Sequence, residues 1–232
     1  MNIETPDLSG LHAVESGTLG QRVYGELRDF LMVGGVKPGE KITLRQLTSA
    51  FGTSLMPVRE AVQRLAAEGA LEVLPNRAIR VPIVTRTSVR EILRVRLNLE
   101  GLAVEEAAAR IQPQAIGRLE ELNEAFTREM RNMDDSTRPF RMNKEFHFTI
   151  YRAAEMPVLL GIIENMWLRI GPFLHFSLGV RGREATRKFA PDSHKDMIRA
   201  MRNRDGALGR AALESDLAGA ADLILQLGNL SD

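Results

Sequence analysis

Few side chains in this chain can do chemistry, and their types narrow it quickly. There are no cysteines and only four histidines among 232 residues. Disulfides and thiolate metal sites are excluded, and the lack of cysteine suits a reducing cytoplasm. Asn143 and His147 stand four apart, so on a helix their side chains point the same way. Arg96 and Glu100 are also four apart, among Leu93, Leu97 and Leu99. An arginine in such a setting needs an acidic partner, and Glu100 can supply it. The other reading is that Arg96 holds a ligand carboxylate in a bidentate pair. A third group is basic and amide: Arg45, then Arg59, Gln63 and Arg64. Such groups can read base edges and phosphates. No separate set of nucleophile and general base is evident, which argues against an enzyme.

The basic group needs two short helices and a tight turn to present it. Thr43 caps the first helix, and Gln46 three residues later completes a capping box. Leu44, Leu47 and Phe51 make one buried stripe, and Gly52 can take the positive φ that ends the helix. Ser54 caps the second helix, with Pro57 in its first turn. Val58, Val62 and Leu65 face inward, leaving Arg59, Gln63 and Arg64 outward. This is the plan of a DNA-reading helix-turn-helix. Leu71 to Leu74 and Ile79 to Val81 alternate around Pro75-Asn76-Arg77-Ala78, which reads as a β-hairpin. A hairpin there is a wing, and Arg77 and Arg80 would carry charge to phosphates or a minor groove. A packing helix over Leu19 to Val33 precedes it all, ending at Gly34-Gly35.

Residues 19 to 82 resemble the winged helix-turn-helix domain of GntR-type bacterial regulators. The resemblance rests on Val36-Lys37-Pro38-Gly39-Glu40, on Leu44 with Leu47, on Pro57-Val58-Arg59-Glu60-Ala61 and on Leu65-Ala66-Ala67-Glu68-Gly69. It implies binding to a double-stranded operator through Arg45, Ser54, Leu55, Met56, Arg59, Arg64, Arg77 and Arg80. Arg45 and Arg59 would reach base edges or nearby phosphates, and Leu55 and Met56 thymine methyl groups. Two positions depart from the family pattern. Leu55 stands where a basic residue is common, and Ala78 where the wing turn usually has glycine.

The remaining length reads as helix after helix. Apolar residues recur from Ile92 to Ile111 behind Thr87 or Ser88, and Pro113 and Pro139 open the next two helices. Further helices are expected over about 158–175, 192–204 and 206–227. The chain is therefore expected to be mainly α: a winged helix-turn-helix followed by an all-α antiparallel bundle. Residues 1–16 form a polar arm, 17–84 the DNA-binding domain and 85–232 an effector-binding and dimerisation domain. No apolar run is long enough for a membrane span. The net charge is only +1. It is unevenly placed: residues 17–83 hold nine Lys/Arg against six Asp/Glu. Phosphate neutralisation would want the excess there.

This second part resembles the FCD effector domain of the FadR branch of the GntR family. Its marks are Arg96 with Glu100, Asn143-Lys144-Glu145-Phe146-His147, His194 with Ala200 and Asp205, and Ala211 to Leu217. The resemblance implies a divalent metal at Asn143, His147, His194 and Asp216, the last standing where many members have a third histidine. An oxygen, two imidazoles and a carboxylate suit Zn²⁺, Ni²⁺ or Mn²⁺. The plain alternative makes His147 and His194 ordinary packed histidines and Asp216 a solvated charge. The family further implies a small organic or sugar acid as effector, with Arg96 as its anchor. Trp167, Arg169, Phe173 and His175 are candidates for the pocket wall, and His12 has no assigned role. The expected function is a homodimeric transcriptional regulator, most often a repressor. A metal-free structural bundle and a metal-dependent hydrolase are the competing readings.

Overall fold

The computed structural model describes residues 19–75, 78–83, 85–131, 137–177, 180–227 and 230. Arg77 and the arm over residues 1–16 lie outside them. The fold is mainly α, with a three-stranded antiparallel sheet in its N-terminal part. The helices in that part are α1 (Leu19–Met32), α2 (Leu44–Phe51) and α3 (Leu55–Ala67). The bundle consists of α4 (Arg86–Arg110), α5 (Pro113–Glu129), α6 (Arg138–Ala153), α7 (Pro157–Ser177), α8 (Val180–Asn203) and α9 (Gly206–Leu227).

Local chemistry explains the helix-turn-helix. The Thr43 hydroxyl accepts from the Gln46 amide at 3.2 Å, and the Gln46 side chain accepts from the Thr43 amide at 2.8 Å. Two orphan donors of α2 are thereby satisfied. Gly52 closes α2 in the left-handed region with φ 59°. Ser54 has the extended backbone of an N-cap, but its hydroxyl makes no capping bond. The usual partner is the amide three residues on, and Pro57 has none. Val58, Val62 and Leu65 are buried against Val23, Leu27 and Leu31 of α1.

The wing pairs β2 (Glu72–Val73) with β3 (Ile79–Arg80), Glu72 opposite Arg80 and Val73 opposite Ile79. A further strand, β1 (Lys41–Ile42), pairs with the other side of β3. Two residues are too short a run to announce a strand by alternation.

In the bundle, α9 packs against α4 and α8, and α5 against α6. Thr85 caps α4, accepting from the Ser88 amide at 3.1 Å, so the helix starts ahead of the expected Thr87 or Ser88. The largest departure is α8, which starts at Val180 rather than Asp192 and runs through Pro191. Proline disfavours helix in the residue before it and reads as a start. Here it removes one N–H from a ladder that continues on both sides.

One core cluster runs from Leu27 and Leu65 of the winged part to Phe146, Trp167 and Leu213 of the bundle. The two parts are pinned by Arg28 to Glu164 at 2.6 Å and Lys144 to Asp29 at 2.8 Å. The closest approach is at Gly171 of α7. A Cβ there would lie 2.3 Å from the Met32 carbonyl oxygen at the end of α1. Gly25, in the middle of α1, has nothing within 4 Å of where its Cβ would be. Two glycine-to-alanine changes should therefore have opposite signs in denaturant unfolding. Gly25→Ala should stabilise by about 0.5–1 kcal/mol through helix propensity. Gly171→Ala should destabilise by about 1–3 kcal/mol, because backbone must move. Equal effects would contradict the close seating of α7 on α1.

Candidate metal centre and nucleic-acid interface

Helix α6 carries His147, α8 carries His194 and α9 carries Asp216. One ligand atom from each lies within 4.8 Å of the others. All three are buried, His194 completely and Asp216 with 6% exposure. The Nε2 of His147 is 3.3 Å from Asp216 Oδ2, and the Nε2 of His194 is 4.0 Å from Oδ1. Phe146 stacks on His194 with ring centroids 4.0 Å apart, and Trp167 lies 5.5 Å from the His147 ring.

The far nitrogens of both rings are anchored. His194 Nδ1 lies 3.1 Å from Asn123 Oδ1, while Asn123 donates its amide to the Pro191 carbonyl at 3.4 Å. That second bond orients the amide, so its oxygen faces the ring and Nδ1 must be the protonated nitrogen. His194 Nε2 is then a bare lone pair, and it is buried without a hydrogen-bond partner. His147 Nδ1 is 3.2 Å from the Tyr151 hydroxyl. Tyr151 donates to Glu100 Oε2 at 2.5 Å, so its oxygen accepts from His147. A neutral His147 therefore turns its Nε2 lone pair toward a carboxylate oxygen, and a protonated one donates to it. Such a contact is satisfied by a proton between the atoms or by a cation. A buried orphan nitrogen, a second imidazole nitrogen and a carboxylate turned toward one another fit a divalent metal. Bound there, the metal would be held by His147, His194 and Asp216, and would act as a Lewis acid toward further oxygen ligands.

Asn143 lies one turn before His147 and lines, with Asp216, a cavity of about 30 Å³. That volume takes water-sized groups, whereas ligand pockets run to about 300 Å³ or more.

Arg96 is on the other side of this network. Its Nε donates to Glu100 Oε1 at 2.5 Å and its Nη2 to Oε2 at 3.2 Å. The acidic partner required by burial is thus Glu100. The guanidinium also lies 5.0 Å from the Trp167 ring. Trp167 lies between the His147 ring and the Arg96 guanidinium. Arg169 instead faces outward at the seam between the two parts, and the side chain of His175 lies outside the described residues. Asn123 and Tyr151 were missed as ring anchors. Tyr151 stands four residues after His147, a spacing that signals a shared helix face. Asn123 comes from a distant helix and leaves no such trace.

Buried charge sets the proton affinities. Burial pushes the Asp216 carboxyl up, but the hydrogen bond and charge of His147, then His194 and Arg96, hold it below the usual range. Burial, then the charge of Glu100, keeps the Tyr151 hydroxyl protonated well above its ordinary range. For His194, burial dominates, His147 adds to it and Asp216 opposes, leaving a value of about 3.

The DNA-facing groups divide in two. Arg45, Ser54, Leu55, Met56 and Arg59 are all exposed. Arg45 and Arg59 make no ion pair among the described residues. Arg64 is already engaged, 3.2 Å from Glu68 and stacked 3.7 Å over the Tyr24 ring. Arg80 is paired across the wing with Glu72 at 2.5 Å.

With this geometry in hand, comparison with known proteins is decisive. Residues 19–81 match the model of bacterial regulatory proteins of the gntR family, and residues 91–219 match the FCD domain. The chain belongs to the GntR family, with an FCD domain. It is 34% identical to the HTH-type transcriptional regulator McbR of Escherichia coli K12, over 73% of this chain and 76% of that one. It is 26% identical to the gluconate operon transcriptional repressor of Bacillus subtilis, over 92% and 88%. The solved structure of E. coli McbR/YncC superposes with a TM-score of 0.85 at 30% identity, covering 92% of this chain and all of that one. This GntR-family chain is therefore a DNA-binding transcriptional regulator, and its relatives are regulators rather than enzymes. No helix among the described residues is long and apolar enough to cross a membrane.

Two measurements probe the centre. Tyr151→Phe and Asn123→Ala should each weaken metal binding about 10–100-fold, by freeing a ring to turn. Competition with a chromophoric chelator reads this directly, and unchanged affinity in both would remove the anchoring argument. In metal-free protein, the unfolded chain takes up a proton at His194 from about pH 6.5 downward, and the folded chain only near pH 3. Stability should fall as pH falls through that window, by roughly 2–3 kcal/mol between pH 6.5 and 4.5 from this group. Urea titrations of wild type and His194→Gln at the two pH values should show a smaller loss in the variant.

Proposed function

We propose that this regulator is a homodimeric repressor whose helical domain holds a divalent metal and responds to a small carboxylate. The observation that carries the metal reading is the buried, partnerless Nε2 of His194 beside His147 and Asp216. The metal is Zn²⁺, Ni²⁺ or Mn²⁺, held by His147, His194 and Asp216, with Asn143 beside them. Charge supports an acidic effector. Asp216 and Glu100 against Arg96 leave one net negative charge in the buried network. A divalent ion turns this to one net positive, which an anionic further ligand neutralises. In this reading, residues 17–84 bind DNA, residues 85–232 bind effector and partner chain, and the protein works in the cytoplasm. Repression is supported by named repressors among the relatives. A dimer is supported by operator symmetry, since one recognition helix contacts few bases.

Elemental analysis of untagged protein after incubation with each metal tests the centre. About one ion per chain is expected, lost in His147→Ala and His194→Ala and tightened in Asp216→His, which adds a third imidazole. Protein that stays metal-free under all three incubations would leave a purely structural bundle. DNA contact is tested separately, by gel shift on an operator selected from random duplexes. Arg45→Ala and Arg59→Ala should each cost about 1–3 kcal/mol at fixed salt, whereas Arg64→Ala should cost less because Glu68 already holds it. Full affinity in both of the first two variants would rule out this docking.

A further inference from the structure

We propose a second ligand site, independent of the metal centre, at the seam between the winged helix and the bundle, for a small carboxylate with an apolar body. A cavity of about 370 Å³ lies there. Its walls come from the turn after α3, the chain leaving the wing, α4 and α7. This is the volume of a small-molecule site, and domain seams are where such sites tend to form. The cavity that Asp216 lines beside the candidate metal centre is only about 30 Å³.

The lining is mostly apolar, with Ile92, Leu168 and Pro172 inside. Two further apolar lining residues stay in water, Ile83 at 58% and Val95 at 39% exposure. Large apolar side chains left exposed around a concavity mark a surface that something covers. Two charges share the wall, Arg169 and Glu91. Neither makes an ion pair among the described residues. The Arg169 guanidinium is held over Gly69, where a Cβ would lie 2.9 Å from Nη2. Its hydrogen bond to the Glu68 carbonyl is long, at 3.5 Å. Most of its donors remain available to a carboxylate, which takes a guanidinium in paired bonds. Glu91 disfavours a second negative charge, so the site selects a monoanion over a diacid. Glu68 is the C-cap of the recognition helix α3. A bound carboxylate therefore competes with the end of α3 for Arg169.

The test uses 2-naphthoate, a fluorescent monoanion with an apolar body, and uncharged 2-naphthamide, titrated into the full chain. One saturable naphthoate site per chain is expected. Arg169→Ala should weaken naphthoate about tenfold and the amide far less, since only the charge pair is lost. Glu91→Gln should tighten naphthoate. Ile92→Trp and Val95→Trp should abolish binding of both probes by filling the cavity. Absence of saturable binding overturns the site, and so does equal naphthoate affinity in wild type, Arg169→Ala and Val95→Trp. Treatment with EDTA should leave naphthoate binding intact. Loss of binding on metal removal would also overturn this site, by moving the ligand to the metal centre. Wild type that takes up no metal on incubation with Zn²⁺, Ni²⁺ or Mn²⁺ and still binds naphthoate would sink the metal reading alone.

Discussion

Among the described residues, two carboxylates are buried in the helical bundle with a single buried guanidinium between them, and much of the structure answers that constraint. Glu100 has no exposure and Asp216 has 6%. A carboxylate taken out of water costs several kcal/mol unless paired and hydrogen-bonded. Arg96 and the Tyr151 hydroxyl satisfy Glu100. Asp216 is left to His147 and His194, each turned to face it by an anchor on its far nitrogen. A packed apolar core would be more stable by the usual arithmetic of buried pairs.

The constraint also explains why four helices must meet at one place. Glu100 sits on α4, His147 and Tyr151 on α6, His194 on α8 and Asp216 on α9. Small residues allow the approach. A Cβ on Gly209 of α9 would lie 2.8 Å from Val104 of α4, so the glycine lets these helices close. Phe146 then covers the His194 ring and Trp167 the His147 ring. These rings exclude water from the donors, which strengthens every electrostatic interaction among them.

Much of this was legible in the sequence, where short-range rules apply. The capping box at Thr43 and Gln46, the left-handed Gly52 and the proline starts of α5 and α6 are local chemistry. The pairing of Arg96 with Glu100 follows from a spacing of four. What could not be read is what depends on distant segments meeting. Asn123 comes from α5 and finds His194 on α8. The Ser54 hydroxyl fails to cap because Pro57 has no N–H, a detail visible in sequence but easily overridden by the usual preference at that position. Arg64 and Arg80 look like DNA contacts from their helix and strand positions alone. Once the chain is folded each also pairs with a carboxylate, Glu68 and Glu72, which their positions in sequence do not announce. The continuation of α8 through Pro191 defeats the strongest local stop signal there is.

The buried network and the recognition helix share one neighbour, α7. Trp167 turns one face of α7 to His147 and Arg96. Two residues to either side, Asn165 and Arg169 reach the carbonyl of Glu68 at the end of α3, at 3.3 and 3.5 Å. Gly171 seats the same helix on the backbone of Met32 at the end of α1. Packed interiors transmit displacement because they have no slack to absorb it. A change of charge at Asp216, by one unit for a proton or two for a divalent ion, acts on a ring held against α7. The helix cannot shift without disturbing the bonds at Glu68. A ligand gains control over DNA binding only if it favours one seating of α7 over another. The residues that would have to differ between two such seatings are Trp167 on one face and Asn165, Arg169 and Gly171 on the other.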